Sequence, residues 1–200
     1  MTPAPLFLVV ALLCAAPVLP AGAAENPNWP CAQPLVPQLT AATYWNSPTA
    51  PAATDWRADP RLAELVAAVA PRDVPIDAAV SQLGAFADAT APASRPAVLT
   101  TLFAGLVDAT NAARGSLIAR IEQLAARQRD LSHMATHLAT EVRAAPPDAP
   151  ATAELIQRRD FATRAFQEAQ RTMRYACEAP ATLESRLGQF ARTLQARIGG

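Results

Sequence analysis

Residues 94–145 read SRPAVLTTLFAGLVDATNAARGSLIARIEQLAARQRDLSHMATHLATEVRAA, and this stretch decides the fold. No proline interrupts it after Pro96, and the next proline in the chain is Pro146. Thirteen positions follow one another in steps of three or four residues, and eleven of them are apolar. They are Leu99, Phe103, Leu106, Thr110, Ala113, Leu117, Ile121, Leu124, Gln128, Leu131, Ala135, Leu138 and Val142. This spacing is typical of one amphipathic helix that carries a coiled-coil-like apolar stripe.

The predicted helix over 97–145 would be roughly 70 Å long at 1.5 Å per residue. Ser94 is the expected N-cap, with Pro96 in the first turn. The sequence leaves open whether the helix is continuous or bent near Asn111 to Gly115. In either case the stripe needs a cover, because an exposed apolar strip of this length would aggregate or bind a partner.

The rest of the chain after residue 58 supplies that cover. Residues 146–150, PPDAP, predict a stiff turn, followed by helix from Thr152 to Cys177, a break at 178–180 and a last amphipathic helix. The predicted inward residues are Leu155, Ala162, Ala165, Phe166, Ala169, Met173 and Ala176, then Leu183, Leu187, Phe190, Leu194 and Ile198. Two shorter helices are expected from Asp59-Pro60 to Val69 and after Pro75. Residues 59–200 are therefore predicted to form an all-α domain, an elongated antiparallel helical bundle with long helices.

A proline-rich arm, residues 25–58, precedes this bundle and is predicted to be extended. It carries all three tryptophans, Trp29, Trp45 and Trp56, although large aromatics are depleted in disordered linkers. Two interpretations follow. The indoles either pack on the protein's own helices, which we favour, or offer a surface that binds a partner.

Residues 1–24 have the build of a signal peptide: a short apolar core, prolines, then the small residues Ala21-Gly22-Ala23-Ala24. Cleavage is expected after Ala23 or Ala24, which would leave no stable membrane span and a periplasmic or secreted protein. Apart from Cys14 in this leader, the chain has two cysteines, and an even count in an oxidising compartment predicts a disulfide between Cys31 and Cys177.

The only two histidines, His133 and His137, are four residues apart and share a helical face with Asp130 and Glu141. Imidazole and carboxylate groups at this spacing can share one Zn²⁺, Ni²⁺ or Cu²⁺ ion, so these four residues are a candidate metal site. The alternative is a polar, solvent-facing stripe, which needs no ligand.

Composition and motifs narrow the function. Basic and acidic residues balance at 17 each, which argues against a nucleic-acid partner. The sequence contains no phosphate-binding glycine loop, no Gly-x-Ser-x-Gly and no His-Glu-x-x-His, so we expect no enzyme activity and no cofactor.

Several segments resemble a family of small exported alphaproteobacterial proteins with a WPC-x-Q start and a Y-x-C-E-x-P motif near the C-terminus. The matching residues here are Trp29–Gln33 with Val36-Pro37, Leu102–Leu106 with Asn111 and Arg114, Arg127–Arg129, and Tyr175–Glu178 with Pro180, Leu183, Glu184 and Arg186. The resemblance implies export and carries no functional residues across. Its two cysteine-bearing motifs coincide with the proposed disulfide.

These observations lead to one expectation and one alternative. We expect an exported, periplasmic, non-enzymatic helical protein that binds a protein partner or serves as an envelope accessory factor. The alternative is a periplasmic metal-binding or metal-sensing module that uses His133 and His137.

Overall fold

The computed structural model describes residue 26, residues 28–45 and residues 55–198, and the predicted signal peptide lies outside them. The described chain holds four α-helices and no strand: α1 (Pro60–Val69), α2 (Ile76–Ala89), α3 (Arg95–Ala144) and α4 (Pro150–Gln195). Two short 3₁₀ turns, Ala41–Thr43 and Trp56–Ala58, lie in the arm. The predicted all-α class is confirmed, and α3 is a single uninterrupted helix of 50 residues.

Helices α3 and α4 form an antiparallel hairpin because only residues 145–149 connect them, and they pack together along their length. Helices α1 and α2 pack against the open end of this hairpin, beside the start of α3 and the end of α4. None of the helices in the described ranges is long and apolar enough to cross a membrane.

The helix starts differ in how well the sequence predicted them. Asp59 caps α1 as expected, since its side chain accepts a hydrogen bond from the backbone N–H of Arg61. Ser94 is the N-cap residue of α3, as predicted, but its side chain makes no capping hydrogen bond, because its backbone is already helical and its hydroxyl donates to the Ala91 carbonyl. A turn at 91–95 leads directly into α3, and Pro96 in the first turn has no N–H that the side chain could accept from.

The predicted helix break at 178–180 is wrong, because α4 runs through Pro180, which is buried. Proline inside a helix costs about 3 kcal/mol, since it removes a backbone donor and crowds the carbonyl four residues earlier. The turns that follow place Leu187, Phe190 and Leu194 in the larger cluster of buried apolar residues, and each is at most 1% exposed. Burying a side chain of this size stabilises by roughly 1.5–3 kcal/mol, so three of them outweigh the proline.

The described residues form two clusters of buried apolar side chains. The head cluster joins α1, α2, the start of α3 and the end of α4 with Leu39 and Trp45 of the arm. The middle cluster consists of Ile121, Ala125 and Met173, with Trp29, Leu124 and the two disulfide cysteines packed against it. The arm therefore contributes to both clusters.

The predicted stripe on α3 lies inward except at one position. Ala113 is exposed, and its neighbour Arg114 is 2% exposed in its place. A step of four from Thr110 to Arg114 and of three to Leu117 keeps the buried face continuous. A search for apolar residues at helical spacing does not find position 114, because the residue there is a charged arginine.

The disulfide between Cys31 and Cys177 is confirmed, with the two Cα atoms 5.6 Å apart. It links the start of the arm to α4 beside the middle cluster, across 146 residues of sequence. On the chain-entropy view, closing so long a loop stabilises the folded state by roughly 4–5 kcal/mol.

We therefore expect the Cys31→Ser/Cys177→Ser variant to lose about 4 kcal/mol of unfolding free energy, measured by urea denaturation. Wild-type protein under reducing conditions is the matched comparison and should show the same loss. An unchanged midpoint in both samples would show that the bond contributes no stability.

Candidate binding surfaces

The three tryptophans pack on the protein's own helices. Trp45 is 5% exposed and its ring stacks on Phe103, with the ring centroids 4.7 Å apart. Trp56 is half-buried and its Nε1 donates to Asp108 at 2.9 Å, while Trp29 is half-buried against the middle cluster. The interpretation that the indoles belong to the scaffold accounts for these contacts. Their use by a partner stays a prediction.

Polar side chains of α3 hold the arm in place. Asn111 bonds both to the N–H of Leu39 at 2.8 Å and to its carbonyl at 2.9 Å, as a neighbouring strand would. Arg114 donates to the Val36 carbonyl at 2.9 Å and to Glu184 of α4 at 2.7 Å. The arm, α3 and α4 are therefore joined by one buried charge.

Arg186 is the second buried arginine, 8% exposed. Its guanidinium donates to the carbonyls of Val69 at 2.8 Å and Val74 at 2.7 Å, so it caps the end of α1. Burial lowers the pKa of Arg186, and the charge of Asp73 opposes that shift. Sequence reasoning missed this role, although an arginine one turn from both Leu183 and Phe190 was a usable signal.

Tyr44, in the arm, lies near Arg114 and Glu184. Burial raises the pKa of the Tyr44 phenol; the carboxylate of Glu184 adds to the rise and Arg114 opposes it. An open cavity of about 500 Å³ lies near this junction, lined in part by Gln33, Arg72 and Glu178. Its rim mixes both charges and favours no single ligand.

The candidate metal residues are only partly brought together. His137 Nδ1 lies 3.6 Å from Glu141 Oε2, and both side chains are well exposed. Within the part of the chain that the structure describes, no group of three or more His, Cys, Asp or Glu residues could hold a metal ion. A metal site of Asp130, His133, His137 and Glu141 stays a prediction. Two of these residues, His137 and Glu141, line a groove.

This groove, called the hairpin groove below, lies between α3 and α4. It consists of two adjoining hollows of about 470 Å³ and about 680 Å³ that share Phe161. The first hollow includes Met134, Leu138 and Glu141, and the second includes Leu124, Leu131 and Arg164. Phe161 is 69% exposed and Met134 is 53% exposed, so the groove offers large apolar side chains to solvent.

No protein-family model matches this chain, and no curated protein or solved structure is significantly similar to it.

The Arg114 contacts give a stability prediction. Arg114→Ala leaves Glu184 and the Val36 carbonyl without their partner, and we expect a loss of about 2–3 kcal/mol, since Glu184 is one-third exposed. Urea denaturation measures it.

Arg171→Ala is the control, because the Arg171–Glu168 pair is exposed and should contribute less than about 1 kcal/mol. Equal losses in the two variants would contradict the anchoring role of Arg114.

Proposed function

We propose that this protein is an exported, non-enzymatic factor of the bacterial cell envelope that binds another protein through the hairpin groove. Export is supported by the signal-like leader and by a disulfide that closes most of the chain. The surface itself, an apolar groove with charged rims, is suited to recognition of another polypeptide.

The observation that carries the proposal is the exposure of Phe161. Tyr175, 74% exposed, lies fourteen residues further along α4, so helical periodicity places it on the same face. Leaving such a ring in water forgoes roughly 1.5–3 kcal/mol of burial. Scattered single exposures are ordinary, but a large apolar group at the centre of a groove is typical of an interaction surface.

The fold keeps this surface in shape. The middle cluster packs α3 against α4 at the base of the groove, and the disulfide ties the arm to α4 beside it. Leu138 and Ala162 are buried between the helices further along. A partner would therefore meet a preformed surface, which lowers the entropic cost of binding.

Site-specific photo-crosslinking in the periplasm tests the proposal. A photoreactive phenylalanine analogue at position 161 should give one discrete adduct, whose partner is identified by mass spectrometry. The same analogue at Ala78, an exposed residue of α2 in the head, should give none.

Binding of the purified partner then provides the decisive comparison. Phe161→Ser should weaken binding by about tenfold or more, as expected when a central apolar anchor is removed. An adduct at both positions, no adduct at 161, or full binding by Phe161→Ser would each refute the proposal.

A further inference from the structure

The two walls of the hairpin groove repeat with one rhythm. On α3 the lining includes Leu124, Arg127, Leu131, Met134, Leu138 and Glu141, which follow in steps of three, four, three, four and three, with His137 beside Leu138. On α4 the lining includes Arg158, Phe161, Ala165, Glu168 and Thr172, which follow in steps of three, four, three and four, together with the residues beside them, Gln157, Arg164, Gln167, Ala169 and Arg171. This is the heptad spacing by which one helix receives the side chains of another.

The groove is also long enough for a helix. From position 124 to position 141, α3 advances roughly 26 Å at 1.5 Å per residue, which is the length of a helix of about 18 residues. A third helix laid in the groove would cover Phe161 and Met134 and add its own apolar residues at the same spacing. The shape thus favours a helical occupant over a flat surface.

Charge selects the kind of helix. Arg127, Arg158 and Arg164 line the groove, are exposed and have no carboxylate within salt-bridge distance among the described residues. The two acids of the lining already have neighbours: Glu168 lies 3.0 Å from Arg171, and Glu141 lies 3.6 Å from His137. Four arginines, Arg127, Arg158, Arg164 and Arg171, line the groove against these two acids. The uncompensated charge of the groove is therefore positive, although the whole chain has a net charge of zero.

We infer that the hairpin groove binds an acidic amphipathic helix of a partner protein, an inference that rests on the proposed function and names the chemistry of its partner. Acidic residues at the edges of such a helix meet the free arginines, and its apolar residues cover Phe161. A second copy of this chain fits less well, because pairing two such faces would bring arginines against arginines.

The probe is a synthetic peptide of about 18 residues, with leucines at heptad spacing and glutamates beside them. Its control carries lysines in place of the glutamates. Fluorescence anisotropy should show that the protein binds the acidic peptide and does not bind the lysine peptide. This binding should weaken at high salt, because the arginines at the edges of the groove are exposed.

Matched variants locate the contact. Arg158→Glu/Arg164→Glu should lose the acidic peptide by about tenfold or more and gain the lysine peptide, which a misfolded protein would not do. Arg143→Glu/Arg174→Glu reverses two exposed arginines outside the groove and should bind as the parent does. Equal losses in both double variants, or equal binding of both peptides by the parent, would overturn the inference.

Two other occupants are outcomes of the same series. Binding to vesicles of phosphatidylglycerol and phosphatidylethanolamine, without binding of the acidic peptide, would replace the helix with a membrane surface. Sedimentation showing a dimer that Phe161→Ser dissociates would replace it with a second copy. A discrete adduct at position 161 with no binding of the acidic peptide would overturn this inference and leave the proposed function standing.

Discussion

The burial of the apolar side of α3 against α4 is the contact on which the rest of the structure depends. A helix of 50 residues with a stripe along one side has no stable form alone, and α4 is nearly as long, with 46 residues. At the open end, α1 and α2 complete the burial, and side chains such as Phe103 and Leu106 are fully enclosed. Toward the turn, α3 and α4 are the only helices of the part of the chain that the structure describes, so many stripe residues stay partly exposed.

That difference in cover explains why the candidate site lies where it does. In the head, four helices and the arm enclose the core from several sides. Beyond the middle cluster nothing in the described chain packs across the groove between α3 and α4, and Phe161 and Met134 remain in solvent. An incomplete bundle of this kind leaves exposed a face that complete bundles bury internally.

The arm strengthens the junction between these two regions. The disulfide of Cys31 fixes the arm covalently. The stacking of Trp45 on Phe103 and the hydrogen bonds of Asn111 and Arg114 hold it in addition. Because an isolated buried arginine is costly, the bond from Arg114 to Glu184 also fixes how α3 and α4 lie against each other. The arm thus helps to set the shape of the hairpin that carries the groove.

Much of the fold was readable from local patterns. The period of the stripe, the prolines at 146–150 and the pair of cysteines predicted the helices, the hairpin and the disulfide, because each depends on residues near in sequence or on a simple pairing rule. The groove was not predicted. Phe161 and Arg164 read as ordinary positions on a solvated helix, and only their place opposite Leu131 and Met134 makes them one surface.

The sequence by itself determined which residues can form amphipathic helices, where the chain must turn and which two thiols are available to pair. Tertiary structure alone decided that α4 continues through Pro180, that Arg114 and Arg186 are buried, and that the hairpin groove stays open. The reason is physical: helical periodicity is a local property of the chain. The free energy that carries a proline or a charge into the interior comes from contacts between residues far apart in sequence.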